Sequence, residues 1–166
     1  HRRCRMDSFV RNTLDLLYAP LRGGVWSVKN TDGVSKDVRV WGSEVMADEG
    51  QDTYGILVGS SNQAFSVDDY NLISKIPHGT GAGQLNYGDI PSVDVYTDYL
   101  EFARVFDNYS GGDVTVYEIG VAVRTTQLYD GTNETNYVLL ARDVISATTV
   151  PNNGRLSVTY TFKINP

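Results

Sequence analysis

Acidic residues in turn-rich stretches are the main source of chemistry in this chain. Asp48, Glu49 and Asp52 fall in the run Asp48-Glu49-Gly50-Gln51-Asp52, and Asp68 and Asp69 are adjacent further on. Gathered together, these five side chains could supply oxygens to a Ca²⁺ ion, which takes six to eight. No D-x-[DN]-x-[DN]-G loop accompanies them, so solvated loop charge is the competing reading. A pair of carboxylates flanking a sugar cleft could hydrolyse a glycosidic bond, but nothing in the spacing marks a cleft. The two histidines are His1 and His78, which leaves almost no material for a His-based triad or a two-His zinc site. Cys4 is the single cysteine, so neither an intrachain disulfide nor a Cys-based metal site can form. Gly79-Thr80-Gly81-Ala82-Gly83 has the glycine density of a phosphate loop. A phosphate cradle, however, needs a strand before it, a helix N-terminus after it and a Lys-Ser or Lys-Thr pair, and Gln84-Leu85-Asn86-Tyr87-Gly88 does not start a helix. The expectation is a tight turn or contact site at Gly79, Gly81 and Gly83, flanked by His78 and Tyr87. No catalytic residue and no cofactor is assigned.

Composition narrows the partners. A chain of 166 residues fits one domain and buries roughly 70% of its unfolded surface on folding, enough for a core without staples. Charged residues make up 20%, while 16 Gly and 11 Tyr suit β-structure better than disorder. The net charge of −6 argues against nucleic acid bound through a basic face. His1-Arg2-Arg3-Cys4-Arg5 is a basic tip on an acidic body and could dock on a like-built neighbour. No apolar run reaches the ~18 residues of a membrane span, and the start lacks a signal-peptide apolar region. The chain opens without Met, and a processed start is one expectation. A lone cysteine fits folding in a reducing cytosol.

The elements that must position these residues are mostly strands. Phe9, Val10, Thr13, Leu14, Leu17 and Tyr18 recur on one helical face, with Asp7 or Ser8 as cap and Pro20 and Gly23-Gly24 as terminators. This predicts a short N-terminal helix within an arm of residues 1–23, packed either over one end of the sheet core or on a neighbouring subunit. From residue 24 to 166 the period is two. A hairpin is predicted from 25–29 and 38–41 around Asn30-Thr31-Asp32-Gly33, carrying Trp26 and Trp41. Strands follow at 54–59, 93–96, 99–106, 114–123, 137–145 and 156–164. Residues 65–67 and 70–73 read as a short strand or one helical turn, and 130–136 as a polar loop. Turn chemistry between such strands predicts an all-β antiparallel sandwich, jelly-roll or immunoglobulin-like.

Several segments of the last two-thirds carry a resemblance. They are Val58-Gly59-Ser60-Ser61, Asp68 to Leu72, Ile76 to Gly88, Phe106 to Gly112, Val114 to Gly120, Leu139 to Val144 and Val158 to Phe162. In this pattern the chain resembles small all-β virion structural proteins of tailed bacteriophages, used as capsid decoration or as tail and appendage components. The resemblance implies a non-enzymatic protein made in the host cytoplasm and carried in the virion, whose partners are copies of itself and other virion proteins. From the acidic charge and the lack of a long apolar run, no nucleic-acid or membrane contact is expected. Phe9, Leu14, Leu17, His78, Gly79, Gly81, Gly83 and Tyr87 are then the expected contact residues. The alternative is a binding module presenting its Tyr and Trp residues to a host surface glycan or receptor, since a row of aromatic residues can stack sugars.

Overall fold

The computed structural model describes residues 2–4, 9–13, 26–38, 43–129 and 132–163. Its strands are β1 (Arg2–Cys4), β2 (Trp26–Lys29), β3 (Ser35–Val38), β4 (Ser43–Glu44), β5 (Gly55–Gly59), β6 (Asn86–Tyr87), β7 (Asp94–Val95), β8 (Tyr99–Asp107), β9 (Val114–Tyr129), β10 (Thr132–Val150) and β11 (Arg155–Lys163). Apolar and polar residues alternate along β8 and β11, and that alternation sets their faces. Phe102, Arg104 and Phe106 point inward from β8, and Val158 and Tyr160 point inward from β11. The two strands pair antiparallel without a register break, from Arg155 opposite Asp107 to Lys163 opposite Tyr99. β6 and β7 share the other edge of β8, and β1 runs parallel along β11.

The second sheet is centred on β9, flanked by β10 on one side and by β4 and β5 on the other. Ile56, Leu57 and Val58 of β5, Val116, Ile119 and Val121 of β9, and Tyr87, Phe106, Val158 and Tyr160 of the first sheet form one core. The fold is thus an all-β sandwich. The Tyr160 hydroxyl donates to the Asp143 carboxylate of β10, which ties the two sheets through the core. β10 departs from regular register between Leu139 and Ala141 and again between Val144 and Thr148, where extra residues bend the strand.

The predicted hairpin forms as β2 and β3, with Gly33 at φ 79° in its turn. Its second strand begins at Ser35, before the predicted stretch, and Trp41 lies outside the described residues. The polar segment 132–136 is strand rather than loop: it pairs with β9, and Glu134 bonds Lys36 of the hairpin. Residues 65–67 and 70–73 are neither strand nor helix.

At the N-terminus, residues 11–13 are helical. Val10 is buried and donates its N–H to the Leu140 carbonyl, and Phe9 bridges to Ala141, both on β10. The Asn12 side chain donates to the Lys29 carbonyl at 2.6 Å and accepts the Lys29 N–H at 3.2 Å, so it pins the hairpin. Residues 9–13 therefore belong to the sandwich's own packing, as in the reading that sets the helix on its own sheet. Leu14 and Leu17 lie outside the described residues.

Candidate functional site

Buried polar side chains fasten irregular chain to the sheets, Asp69 and Asp52 from the sequence-derived candidates among them. Arg142, Glu118 and Asp69 are the clearest case. Arg142 Nε donates to Glu118 at 2.7 Å and Nη1 donates to Asp69 at 2.9 Å, with all three side chains buried. Arg142 Nη2 donates to the Gln63 carbonyl at 2.9 Å. Glu118 in turn accepts the backbone N–H groups of Ile73, at 3.1 Å, and Ser74, at 2.8 Å. The strandless segment 60–74 is held on β9 and β10 by this network. Gly59 is required here, because a Cβ would sit 2.4 Å from Glu118 Oε1 and 2.7 Å from the Ser74 carbonyl.

Arg104 does comparable work in the opposite sheet. Its guanidinium donates to the carbonyls of Gly88, Tyr54, Ile56, Asp48 and Gln51 at 2.6–3.2 Å. Burial pulls its pKa down to about 10, which still leaves it charged at neutral pH. The Tyr87 ring lies against the guanidinium at 4.9 Å.

A third arrangement involves Asp52, Lys75, His78 and Tyr87. Asp52 accepts the His78 backbone N–H at 2.8 Å and the Lys75 ammonium at 3.2 Å. Burial alone would raise the Asp52 carboxyl, but the His78 N–H and the Lys75 charge outweigh it and hold the group below the usual carboxylate range. His78 Nδ1 accepts the Tyr87 backbone N–H at 3.1 Å.

The five carboxylates do not converge. Asp52 is taken by Lys75 and His78, Asp69 by Arg142, and Asp68 faces Arg11 at an exposed 3.7 Å, while Asp48 and Glu49 stay on their turn. Among the described residues no group of three or more His, Cys, Asp or Glu side chains is placed to hold a metal ion.

The predicted contact residues separate as well. Tyr87 is fully buried, and its hydroxyl donates to the Ile76 carbonyl at 2.6 Å, so it is a core residue and not a surface contact. Burial pushes that hydroxyl well above its usual titration range. The glycine run folds onto its own chain: Gly81 N–H donates to Gln84 Oε1 at 2.8 Å, and a Cβ on Gly79 would lie 2.2 Å from the same oxygen. Gly83 has φ 74° with open space around it. His78 is half-buried beside them.

Phe9 marks a surface that sequence reasoning did not assemble. Its ring lies 5.8 Å from that of Phe162, and both line an open cavity of ≈ 320 Å³ with Val95, Tyr96, Tyr99 and Leu100. Val95 is 78% exposed, Tyr96 47% and Phe9 39%. Tyr96 and Tyr99 stack at 4.4 Å and 17°. The rim carries Asp98 and Lys163, paired at 3.4 Å, and the charge of Glu101 raises the Tyr96 hydroxyl. The only sequence signal was Tyr96 and Tyr99 close to Val93 and Val95. Phe9 and Phe162 come from opposite ends of the chain. No family model, curated protein or solved structure matches this chain.

Proposed function

We propose that this protein is a non-enzymatic structural subunit of a bacteriophage virion, in capsid decoration or in the tail and its appendages. The observation that carries the assembly reading is the exposed apolar surface formed by Phe9, Val95, Tyr96 and Phe162 at the β7 end of the sandwich. A protein surface with that much adjacent apolar side chain is suited to contact with another protein. Arg104, Arg142, Glu118 and Asp69, by contrast, point into the protein and fasten loops. The virion assignment itself rests on the sequence resemblance. The partners are other copies of this chain and further virion proteins, and the protein resides in the particle.

Antibody labelling of the source particle under negative stain tests the assignment. Discrete label on heads or tails is the expected result, and unlabelled particles overturn it. Sedimentation of the purified chain then shows whether association needs a scaffold. A second reading is favoured by one observation, the stacked and partly exposed Tyr96–Tyr99 pair, which offers an aromatic face to a sugar. Binding on a glycan array that is lost in Tyr96→Ala would support this host-surface module instead.

A further inference from the structure

His78 occupies an unusual place in the hydrogen bonding of the first sheet. β6 uses its inner edge to pair with β8, with Tyr87 opposite Phe106. The Tyr87 N–H points away from that pairing and finds His78 Nδ1 at 3.1 Å. An imidazole thus stands where a neighbouring strand would place a carbonyl. To accept this bond Nδ1 must be unprotonated, which puts the ring proton of neutral His78 on Nε2. The ring is confined on two sides. It meets the Tyr87 ring edge-on at 6.3 Å, and a Cβ on Gly50 would lie 3.4 Å from Nε2.

We propose that His78 is an acid-sensitive latch: its protonation on Nδ1 breaks the bond from Tyr87 and releases the glycine loop 79–84 from the edge of β6. Protonated Nδ1 becomes a donor facing the Tyr87 donor, so the bond is lost and replaced by an N–H to N–H repulsion. Imidazoles change charge in the range of about pH 5 to 8. The charged groups around the ring are Asp52 and Lys75, Asp48 and Glu49 on the turn of Gly50, and Arg104 beyond the Tyr87 ring. Asp52 remains ionised at pH 5, since its carboxyl is held below the usual range, and it still anchors the His78 backbone. The hinge is therefore fixed at the His78 N–H while its side chain lets go. The loop beyond is held by Gly79 N–H to the Leu85 carbonyl at 3.1 Å and by Leu85 N–H to the Pro77 carbonyl at 3.3 Å. Once the ring leaves, those two bonds are the remaining hold on the loop.

The test is amide exchange at Tyr87 and across 79–85 near pH 7.5 and near pH 5, corrected for intrinsic exchange, with Leu57 and Ile119 as core references. In the wild-type chain the Tyr87 amide should lose about tenfold or more of its protection at the lower pH, while the references hold, because one lost hydrogen bond is worth about that factor. His78→Asn places a side-chain oxygen close to the position of Nδ1 and does not titrate, so its Tyr87 protection should be the same at both pH values. Equal loss in wild type and His78→Asn overturns the proposal, as does a wild type that loses nothing. Nitrogen NMR of the wild-type ring reads the same event without a variant. Nδ1 should report an acceptor at neutral pH and gain a proton together with the amide change. Ring protonation that leaves Tyr87 undisturbed also overturns the latch.

Discussion

Arg104 and Arg142 are both buried arginines in strands, and both fasten irregular chain to a sheet, yet they are neutralised in different ways. Arg142 sits among charges, with Glu118 and Asp69 closing an ion network over segment 60–74. The hydrogen bonds of Arg104 go to five backbone carbonyls, from Asp48, Gln51, Tyr54, Ile56 and Gly88. A guanidinium has five N–H groups in a rigid fork, and that number matches the carbonyls offered. The Arg142 site depends on charge balance, so removing one member strands another. The Arg104 site depends on geometry, because neutral dipoles converge on one cation. The first is vulnerable to any change of charge, the second to any change in donor number.

The largest effect is expected for Arg142→Ala. It leaves Glu118 buried and without its cation, although two backbone N–H groups still reach that carboxylate. Removing one partner of a buried pair costs about 3–5 kcal/mol, and the lower end applies here. Urea unfolding of wild type and variant measures it. Adding Glu118→Leu to the same chain should recover part of the loss. If the single variant loses less than about 1 kcal/mol, the charge-balance account of this site is wrong.

Arg104→Lys is the next step down and separates charge from geometry. It keeps the cation but offers three donors in place of five, so at least two buried carbonyls lose their partner. The expected loss is roughly 2 kcal/mol at neutral pH. A lysine variant as stable as wild type would show that charge alone suffices, and would erase the contrast with Arg142.

Asp52→Asn tests a carboxylate held below its usual range by the His78 N–H and Lys75. Its folded value lies below the unfolded one, so its contribution is complete above the unfolded value, near 3.9, and disappears as pH falls through the folded value. The variant should be about 1 kcal/mol less stable than wild type at neutral pH, and the gap should close only in strong acid. A gap that closes between pH 7 and 5 would assign the effect to another group.

Much of the sandwich was legible because two-residue periodicity survives in the long strands. Phe102, Arg104 and Phe106 are in one phase, as are Leu156, Val158, Tyr160 and Phe162, and both sets lie where that phase places them. Arg104 in the inward phase was itself a signal that a buried cation needed partners. The partners could not be read, because they are carbonyls of turns, and no side-chain pattern marks a carbonyl. Tyr87 failed for a related reason. In Asn86-Tyr87-Gly88, beside a glycine run, a two-residue strand leaves no period to detect, so a core residue looked like a loop residue. Val10 and Asn12 fit the predicted helix, but the helical face could not reveal that β10 and the hairpin would cover it.

Val95 lies at the far end of the scale from the two arginines. It projects from β7 with 78% of its surface exposed and bonds to nothing in its own subunit through its side chain. Val95→Asp should therefore change stability by no more than about 0.5 kcal/mol, the usual range for an exposed site. Its effect should fall on association. An aspartate there would add a negative charge to a rim that already has Asp94, Asp98 and Glu101, and would put a hydrated group into the apolar surface of Phe9, Tyr96 and Phe162. Paired thermal melts and sedimentation velocity separate the two outcomes. Matching melts with weakened self-association or weakened incorporation into particles would establish this end of the sandwich as a contact. Matching melts with unchanged association would move the contact to another surface. A lowered melt would mean that Val95 packs within its own domain, and the distinction between inward fastening and outward contact would fail at that residue.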